Sequence, residues 1–424
     1  MKLALEILEE RGFIADCTDN DTLREKLSKE KMTIYIGFDP TAESLHLGHL
    51  VPIMALSHMQ RAGLRVLMIV GGATGMVGDP SGKSEERNLL TPEDVAKNVK
   101  GVKKQMEKFL DFTGDNAATI LDNNEWISKM SFIDWLREVG KYFTVNYMLA
   151  KESVKKRLED REHGISYTEL SYMTMQAYDF LYLFDNYNCT LQGGGSDQWG
   201  NITAGIDLIR KLRQKTAYGL TFHLITTATG EKFGKTTGNA VWLDKSITSS
   251  WDFYQYLVRQ DDRDVIRFLK LYTFLTMDKI DKLEQSMKTA PEKREAQKAL
   301  AFEVTRIVHG EKTAQEMTRA AEVVYGTEIK NLSDETLSSV FSGVPFTEVS
   351  HADLDVGIEL IGLFVKAGMV KGRGEAMRLI KAGGIYVNNV RINDNIKISR
   401  EHLASESFVI LRSGKKNYHL VRIK

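Results

Sequence analysis

Apolar residues in the first half of this 424-residue chain follow two alternating rhythms. TIYIGFD (33–39) and RVLMIVGG (65–72) are short runs rich in β-branched and aromatic residues, the length of buried strands. Between them, HLGHLVPIMALSHMQRAG (46–63) carries apolar residues at helical spacing. Strand, helix, strand with a glycine-rich exit predicts an α/β fold with a Rossmann-like, doubly wound parallel sheet, which gathers ligands at the carboxyl ends of its strands. CTLQ (189–192) reads as a return strand into GGGSDQWGN, with a helix following over 202–215. The stretch 92–170 is amphipathic and mostly helical, an insertion within a first domain of 1–246. Residues 247–326 keep a helical rhythm and predict a small helical bundle. Residues 327–356 are polar and weakly periodic, a linker with some helix. The last segment, 357–424, predicts two short helices and then two strands, IYVNNVRI (385–392), around an Asn-Asn turn.

Charge changes this picture at one end only. The chain is neutral overall, with 57 basic and 57 acidic residues. Residues 357–424 hold 13 Lys/Arg against 5 Asp/Glu, a net of +8, which leaves −8 on the preceding residues. A basic module on an acidic body fits an added nucleic-acid contact; a chance fluctuation on a solvated surface is the alternative. No apolar run approaches a membrane span, and Glu6, Glu9 and Glu10 interrupt the N-terminus where a signal peptide needs apolar residues. Cys17 and Cys189 make no metal or redox spacing, so a cytoplasmic protein is expected.

Candidate chemistry begins with PTAESLHLGHL (40–50). His46 and His49 lie three residues apart at the head of a helix, where unpaired backbone N–H groups favour phosphate. Gly48 between them leaves room for a flat adenine, and the imidazoles could stabilise charge on a transferring phosphate. The alternative is a surface pair or half of a zinc site, but no further Cys or acidic ligands fall in register. GGATGMVGDPSGKS (71–84) resembles a Walker A loop only superficially, because Val77 occupies the position of its first glycine. It offers Asp79 as a carboxylate suited to an ammonium group.

Tyr172, Gln176 and Asp179 follow an i, i+4, i+7 spacing on one helix face. Tyrosines at that spacing are commonly core, as expected for Tyr178 and Tyr182. A phenol, an amide and a carboxylate together are costly to bury without partners, which a zwitterionic, phenolic amino acid would supply. In GGGSDQWGN (193–201), Asp197 either accepts from ribose hydroxyls or caps the next helix, with Gln198 beside it. TGEKFGKTTGN (229–239) sets Lys232, Lys235 and Thr236 among glycines, a cationic flap able to close over a polyphosphate.

Together these stretches resemble the class I aminoacyl-tRNA synthetases, and within them the bacterial tyrosyl branch. HLGH (46–49) is similar to the first class I motif, H-I-G-H, and KFGKT (232–236) to the second, K-M-S-K-S. YIGFDPTAESLHLGH, GGATGMVGDPSGKSEER, YDFLYLF and GGSDQWGNI resemble that branch almost continuously, and 357–424 resembles an RNA-binding domain of the S-four ribosomal-protein type. The resemblance implies that Tyr35 and Asp179 hold a substrate phenol, while Asp79, Tyr172 and Gln176, with Gln198, hold its ammonium. It implies Thr41 and His46 at the leaving pyrophosphate, and His49, Gly37, Asp39, Gly48, Gly195, Asp197 and Gln198 around the nucleotide. Lys83, Arg87, Lys232, Lys235 and Thr236 would clamp phosphates from loops. Two departures are Ile36, where some members have a ribose-contacting cysteine, and Pro52, where some have threonine.

The resemblance implies ATP as a substrate, with Mg2+ accompanying it and no zinc or other protein-bound metal. L-tyrosine and tRNA(Tyr) are the implied partners. A homodimer joined through 92–170 is implied as well, and no membrane. The two-step reaction would form tyrosyl-adenylate and pyrophosphate, then move tyrosine to the 3′ end of the tRNA. A related tryptophanyl enzyme is one rival; a synthetase-derived RNA-binding protein is another.

Overall fold

The fold is described from a computed structural model over residues 2–81, 90–151, 154, 155, 158, 164–230, 232–234, 240–324, 326–414 and 417–424. It divides into two compact units, Met1–Ile247 with Asp261–Ala296, and Thr248–Gln260 with Gln297–Lys424.

The first unit is built on a six-stranded sheet of β1 (Ile14–Cys17), β2 (Thr33–Phe38), β3 (Arg65–Val70), β4 (Thr119–Asp122), β5 (Cys189–Gly195) and β6 (Tyr218–Phe222). Its order is β1-β6-β5-β2-β3-β4. All neighbouring pairs run parallel except β1 with β6. From β2 the chain moves outward through β3 and β4, then returns to the other side through β5 and β6. The connections leaving β2 and β5 therefore diverge, opening a crevice at their carboxyl ends. The parallel α/β fold expected from the sequence is present. The stretch 92–170, expected to be mostly helical, also contributes β4, a four-residue strand whose period is too short to stand out.

Three helices position the site. The first, α1 (Leu47–Arg61), buries its apolar stripe, including Leu50, Ile53, Met54 and Leu56. Helix α2 (Tyr167–Tyr187) starts where the Ser166 hydroxyl accepts from the Glu169 N–H, and ends at Asn188 in a left-handed conformation. Its buried face includes Met173, Ala177, Phe180 and Leu183, packed in one cluster with Tyr35, Leu67 and Leu208. Removing a ring such as that of Phe180 would cost about 3–5 kcal/mol. The third, α3 (Trp199–Arg213), packs along α2, and Tyr178 and Tyr182 join the margin of the same core.

The helical stretch expected over 247–326 is shared between the units. Helices Asp262–Tyr272 and Met277–Thr289 belong to the first, whereas Ser250–Val258 and Glu311–Val324 belong to the second. Residues 327–356, expected as a linker, hold a helix (Asp334–Val340) and strand β7 (Phe346–Val349), which pairs in parallel with β13 (Asn417–Ile423). After β8 (Ile358–Glu359), β9 (Ile385–Val387) and β10 (Val390–Arg391) form the expected hairpin. Its turn residues Asn388 and Asn389 take φ of 48° and 65°. With β12 (Phe408–Ser413) these give a five-stranded sheet of order β10-β9-β12-β13-β7, while β11 (Lys397–Ile398) pairs with β8. Among the described residues no helix is long and apolar enough to cross a membrane.

Candidate active site

A cavity of about 460 Å³ opens at the carboxyl ends of β2, β3, β5 and β6, where the sheet topology predicts a ligand. Of the residues singled out from the sequence, Tyr35, Gly37, Asp39, Thr41, His46, Gly48, His49, Asp79, Tyr172, Gln176, Asp179, Gly195, Asp197, Gln198 and Lys232 all line it. Ile36 and Pro52 line it too. Lys83, Arg87, Lys235 and Thr236 lie outside the described residues.

One end of the cavity is a buried polar chain. Asp179 accepts from Trp126 Nε1 at 2.7 Å and from Asn123 Nδ2 at 3.0 Å. Burial pushes its carboxyl up to about 7, and these two donors oppose that rise. The Asn123 amide also donates to Thr74 Oγ1 at 3.0 Å, and Thr74 donates to Asp39 at 2.8 Å. Tyr172 donates to the other Asp39 oxygen at 2.8 Å. Beside this chain stands Tyr35, 1% exposed, with its ring 5.3 Å from that of Phe180. Its hydroxyl is buried and, among the described residues, has no hydrogen-bond partner. Burial, and then the neighbouring Asp179, raise its phenol well above the ordinary range. An unsatisfied buried hydroxyl is unfavourable and wants a partner.

Beyond the phenol end lies a second polar group. Gln198 Nε2 donates to Asp79 at 2.7 Å, and the Ser81 N–H donates to the other Asp79 oxygen at 3.0 Å. Asn201 Nδ2 donates to the carbonyl oxygens of Gln176 and Gln198, each at 3.1 Å. That leaves Asp79 and the two amides held in fixed orientation around an opening suited to an ammonium. Asp197 sits half-buried nearby, its carboxyl raised by burial and then by Asp79, with Lys232 opposing the rise.

The histidines form the opposite wall. Their rings stack at 3.9 Å between centroids. His46 Nδ1 accepts from the Gly48 N–H at 3.0 Å, and His49 Nδ1 accepts from the His46 N–H at 3.2 Å. Both Nδ1 atoms are therefore acceptors, which leaves the Nε2–H tautomer as the donor of each neutral ring. Burial, then the adjacent His46, lower the His49 imidazole to about 3, so the ring is a neutral dipole. Part of the helix N-terminus expected to be open to phosphate is thus taken up by the rings themselves. Gly48 is needed for His46 first, since a Cβ there would lie 2.9 Å from the His46 ring.

The root of the cationic flap packs on this same wall. The Phe233 N–H donates to Ile225 O at 3.0 Å, and Lys232 bridges to Thr226. Gly234 has φ of +81°, and a Cβ on it would stand 2.8 Å from Leu47 Cβ and 3.1 Å from the Gly48 nitrogen. The two motifs, distant in sequence, meet here. Phe233 anchors the strand against Phe268, with ring centroids 4.1 Å apart.

Sequence reasoning missed Asn123, Trp126, Thr74, Ser81 and Asn201. Asn123 directly follows β4, so recognising that strand would have placed it at a sheet terminus. Trp126 carries no local signal. Among the described residues no cluster of three His, Cys, Asp or Glu side chains could hold a metal ion.

Residues 27–326 match the sequence profile of the class I tRNA synthetases (W and Y), and residues 336–421 that of the tyrosine–tRNA ligase SYY-like C-terminal domain. The tyrosine–tRNA ligase of Roseiflexus castenholzii is 46% identical over 426 residues, covering 100% of both chains. That of Geobacillus stearothermophilus is 48% identical over 98% of each. Among solved structures, a C-terminally truncated mitochondrial tyrosyl-tRNA synthetase from Aspergillus nidulans is 34% identical, with a TM-score of 0.69 over 76% of this chain and 94% of that one.

Proposed function

This chain belongs to the class I tRNA synthetases as a tyrosine–tRNA ligase, an enzyme that joins tyrosine to tRNA with ATP, and from that premise we propose how its residues divide the work. The observation that carries the assignment of roles is the unpartnered Tyr35 hydroxyl beside the anchored carboxylate of Asp179. A tyrosine side chain entering there gives Tyr35 a partner and donates its own proton to Asp179. Phenylalanine leaves both groups unpaired, and tyrosyl enzymes are themselves the usual illustration of selection by that penalty.

Asp79, Tyr172, Gln176 and Gln198 take the ammonium, which turns the substrate carboxylate towards His46 and His49. A carboxylate oxygen attacks the α-phosphorus of ATP, the bond to the β-phosphate bridging oxygen breaks, and pyrophosphate leaves. Negative charge grows on the phosphate oxygens, and the Nε2–H groups of His46 and His49 with the Thr41 hydroxyl are aimed to stabilise it. Gly37, Asp39, Gly48, Gly195 and Asp197 border the nucleoside, with Asp197 accepting from ribose. Lys232, Lys235, Thr236, Lys83 and Arg87 bind the leaving phosphates from the loops. Mg2+ arrives as part of the ATP substrate, held by phosphate oxygens and water. The tRNA 3′-terminal ribose hydroxyl then attacks the tyrosyl carbonyl, and AMP departs. No protein nucleophile is required; catalysis comes from positioning and charge.

We assign a catalytic domain to 1–246, anticodon-arm contacts to 247–326 and tRNA contacts to the basic module 357–424. The exposed apolar side chains of Phe132, Ile133, Leu136 and Val145 support a homodimer joined through the 92–170 segment. Unpaired Cys17 and Cys189 suit a cytoplasmic site of action. Amino-acid-dependent ATP–pyrophosphate exchange tests the assignment. Exchange is expected with tyrosine and near background with phenylalanine or tryptophan; equal exchange with tryptophan would overturn it.

A further inference from the structure

Four strands of the second unit bring one row of side chains into register. Arg391 of β10 stands opposite Tyr386 of β9, Tyr386 opposite Arg412 of β12, and Arg412 opposite Tyr418 of β13. Residues directly opposite each other share a sheet face, so guanidinium and phenol alternate across it. The Arg412 guanidinium carbon lies 3.8 Å from the Tyr386 ring centroid and 5.8 Å from that of Tyr418. Tyr418 is fixed in turn by Phe341 and by a 3.4 Å hydrogen bond to Asn389.

Two residues back along β12, Ile410 points the same way and is buried with Phe408 under Ala320, Val323 and Leu337. The row lies where that cover ends: Arg391 is exposed, and Tyr386, Arg412 and Tyr418 are half-buried. Other basic groups of this module are neutralised, Arg373 by Glu359 and Arg400 by Asp355. Among the described residues neither Arg391 nor Arg412 makes a salt bridge, and the Arg412 Nε is buried without a hydrogen-bond partner. A planar cation kept between rings and left un-neutralised at a surface suits a ligand with both a π-face and negative charge.

We propose that this row is a nucleotide-stacking platform, on which an unpaired base of the tRNA lies over Tyr386 and Arg412 while its phosphate meets Arg391. The inference rests on the reading of 357–424 as a tRNA-contacting module and specifies one contact within it.

The test uses the full chain and a tRNA(Tyr) transcript, with affinity measured by fluorescence anisotropy across a salt series. Tyrosine-dependent ATP–pyrophosphate exchange is measured in parallel. Tyr386→Leu should weaken tRNA binding roughly five- to a hundred-fold without changing the salt slope, because stacking releases no counter-ion. Tyr386→Phe keeps the ring and should bind like the unaltered chain. Arg391→Gln should weaken binding at low salt and reduce the slope by about one. All three should keep the exchange rate. Binding by both Tyr386→Leu and Arg391→Gln within two-fold of the unaltered chain, with the slope unchanged, would overturn the platform while leaving the enzyme assignment intact. Should Tyr386→Leu melt early, exposed Arg391→Gln decides alone. Absence of exchange in the unaltered chain would strike the enzyme assignment instead.

Discussion

Tyr35→Phe moves stability and activity in opposite directions. In the free protein the buried Tyr35 hydroxyl has no partner among the described residues, so its desolvation is uncompensated at a cost of about 1–3 kcal/mol. Removing the oxygen relieves that cost, and the ring keeps its packing against Phe180. The variant should therefore unfold at a temperature about two or more degrees higher. In the proposed complex with tyrosine, the same oxygen makes a hydrogen bond worth about 0.5–1.5 kcal/mol. Losing it should lower kcat/KM for tyrosine roughly two- to ten-fold. Phenylalanine never makes that bond, so tyrosine-over-phenylalanine preference should fall by the same factor. Thermal unfolding with tyrosine- and phenylalanine-dependent exchange reads all three quantities. A less stable variant with an unaltered preference would refute the reasoning, since the hydroxyl would then have partners in the free enzyme and none in the complex.

Asp179→Ala strands Trp126 Nε1 and an Asn123 Nδ2 hydrogen and removes the proposed acceptor for the phenol. Exchange kcat/KM for tyrosine should drop on the order of 100-fold or more while the KM for ATP stays within about three-fold; a rise in the KM for ATP as large as the fall in kcat/KM for tyrosine would remove Asp179 from the phenol site. Because the free carboxyl titrates near 7, the KM for tyrosine should fall as pH rises from 5.5 to 7 and then level off, and a flat profile would contradict an ionised acceptor. Buried His58, lowered to about 3 by burial and then by Arg11 and Arg61, folds as the neutral ring. Protons then bind the unfolded chain more tightly, so stability held above pH 6.5 is lost as pH falls below it, by at most about 1.4 kcal/mol per unit. His58→Leu should flatten that acid limb in urea unfolding, and an unchanged slope would assign it to other groups. Gly234→Ala forces a Cβ into left-handed backbone and against Leu47, and should cut the exchange rate while tyrosine binding by equilibrium dialysis holds; normal exchange would mean the flap root does not shape the phosphate site.

Much of this architecture was legible because local rhythm and tertiary need agree. The run 33–72 reads as strand, helix, strand, and β2, α1 and β3 occupy those places within two residues. The Asn-Asn turn was equally legible, since both residues must adopt positive φ and asparagine tolerates it. Tyr172, Gln176 and Asp179 gave themselves away as polar groups on a face that should be buried. Asn123 and Trp126 did not. Their role depends on β4 pairing with β3, in the register Leu67↔Thr119, which no short window contains. The neutral state of His49 was hidden for a similar reason, because it follows from a ring stacked on its neighbour and accepting from the backbone. Helical rhythm over 247–326 likewise cannot reveal that its helices divide between two cores.

The most direct test of the account is a crystal structure of the chain with a non-hydrolysable tyrosyl-adenylate analogue. The phenolic oxygen should lie about 2.5–3.0 Å from both the Tyr35 hydroxyl and an Asp179 oxygen, with the phosphate analogue against His46 and His49. A ligand whose phenol lies at Asp79, or whose phosphate analogue faces away from the histidines, would contradict it.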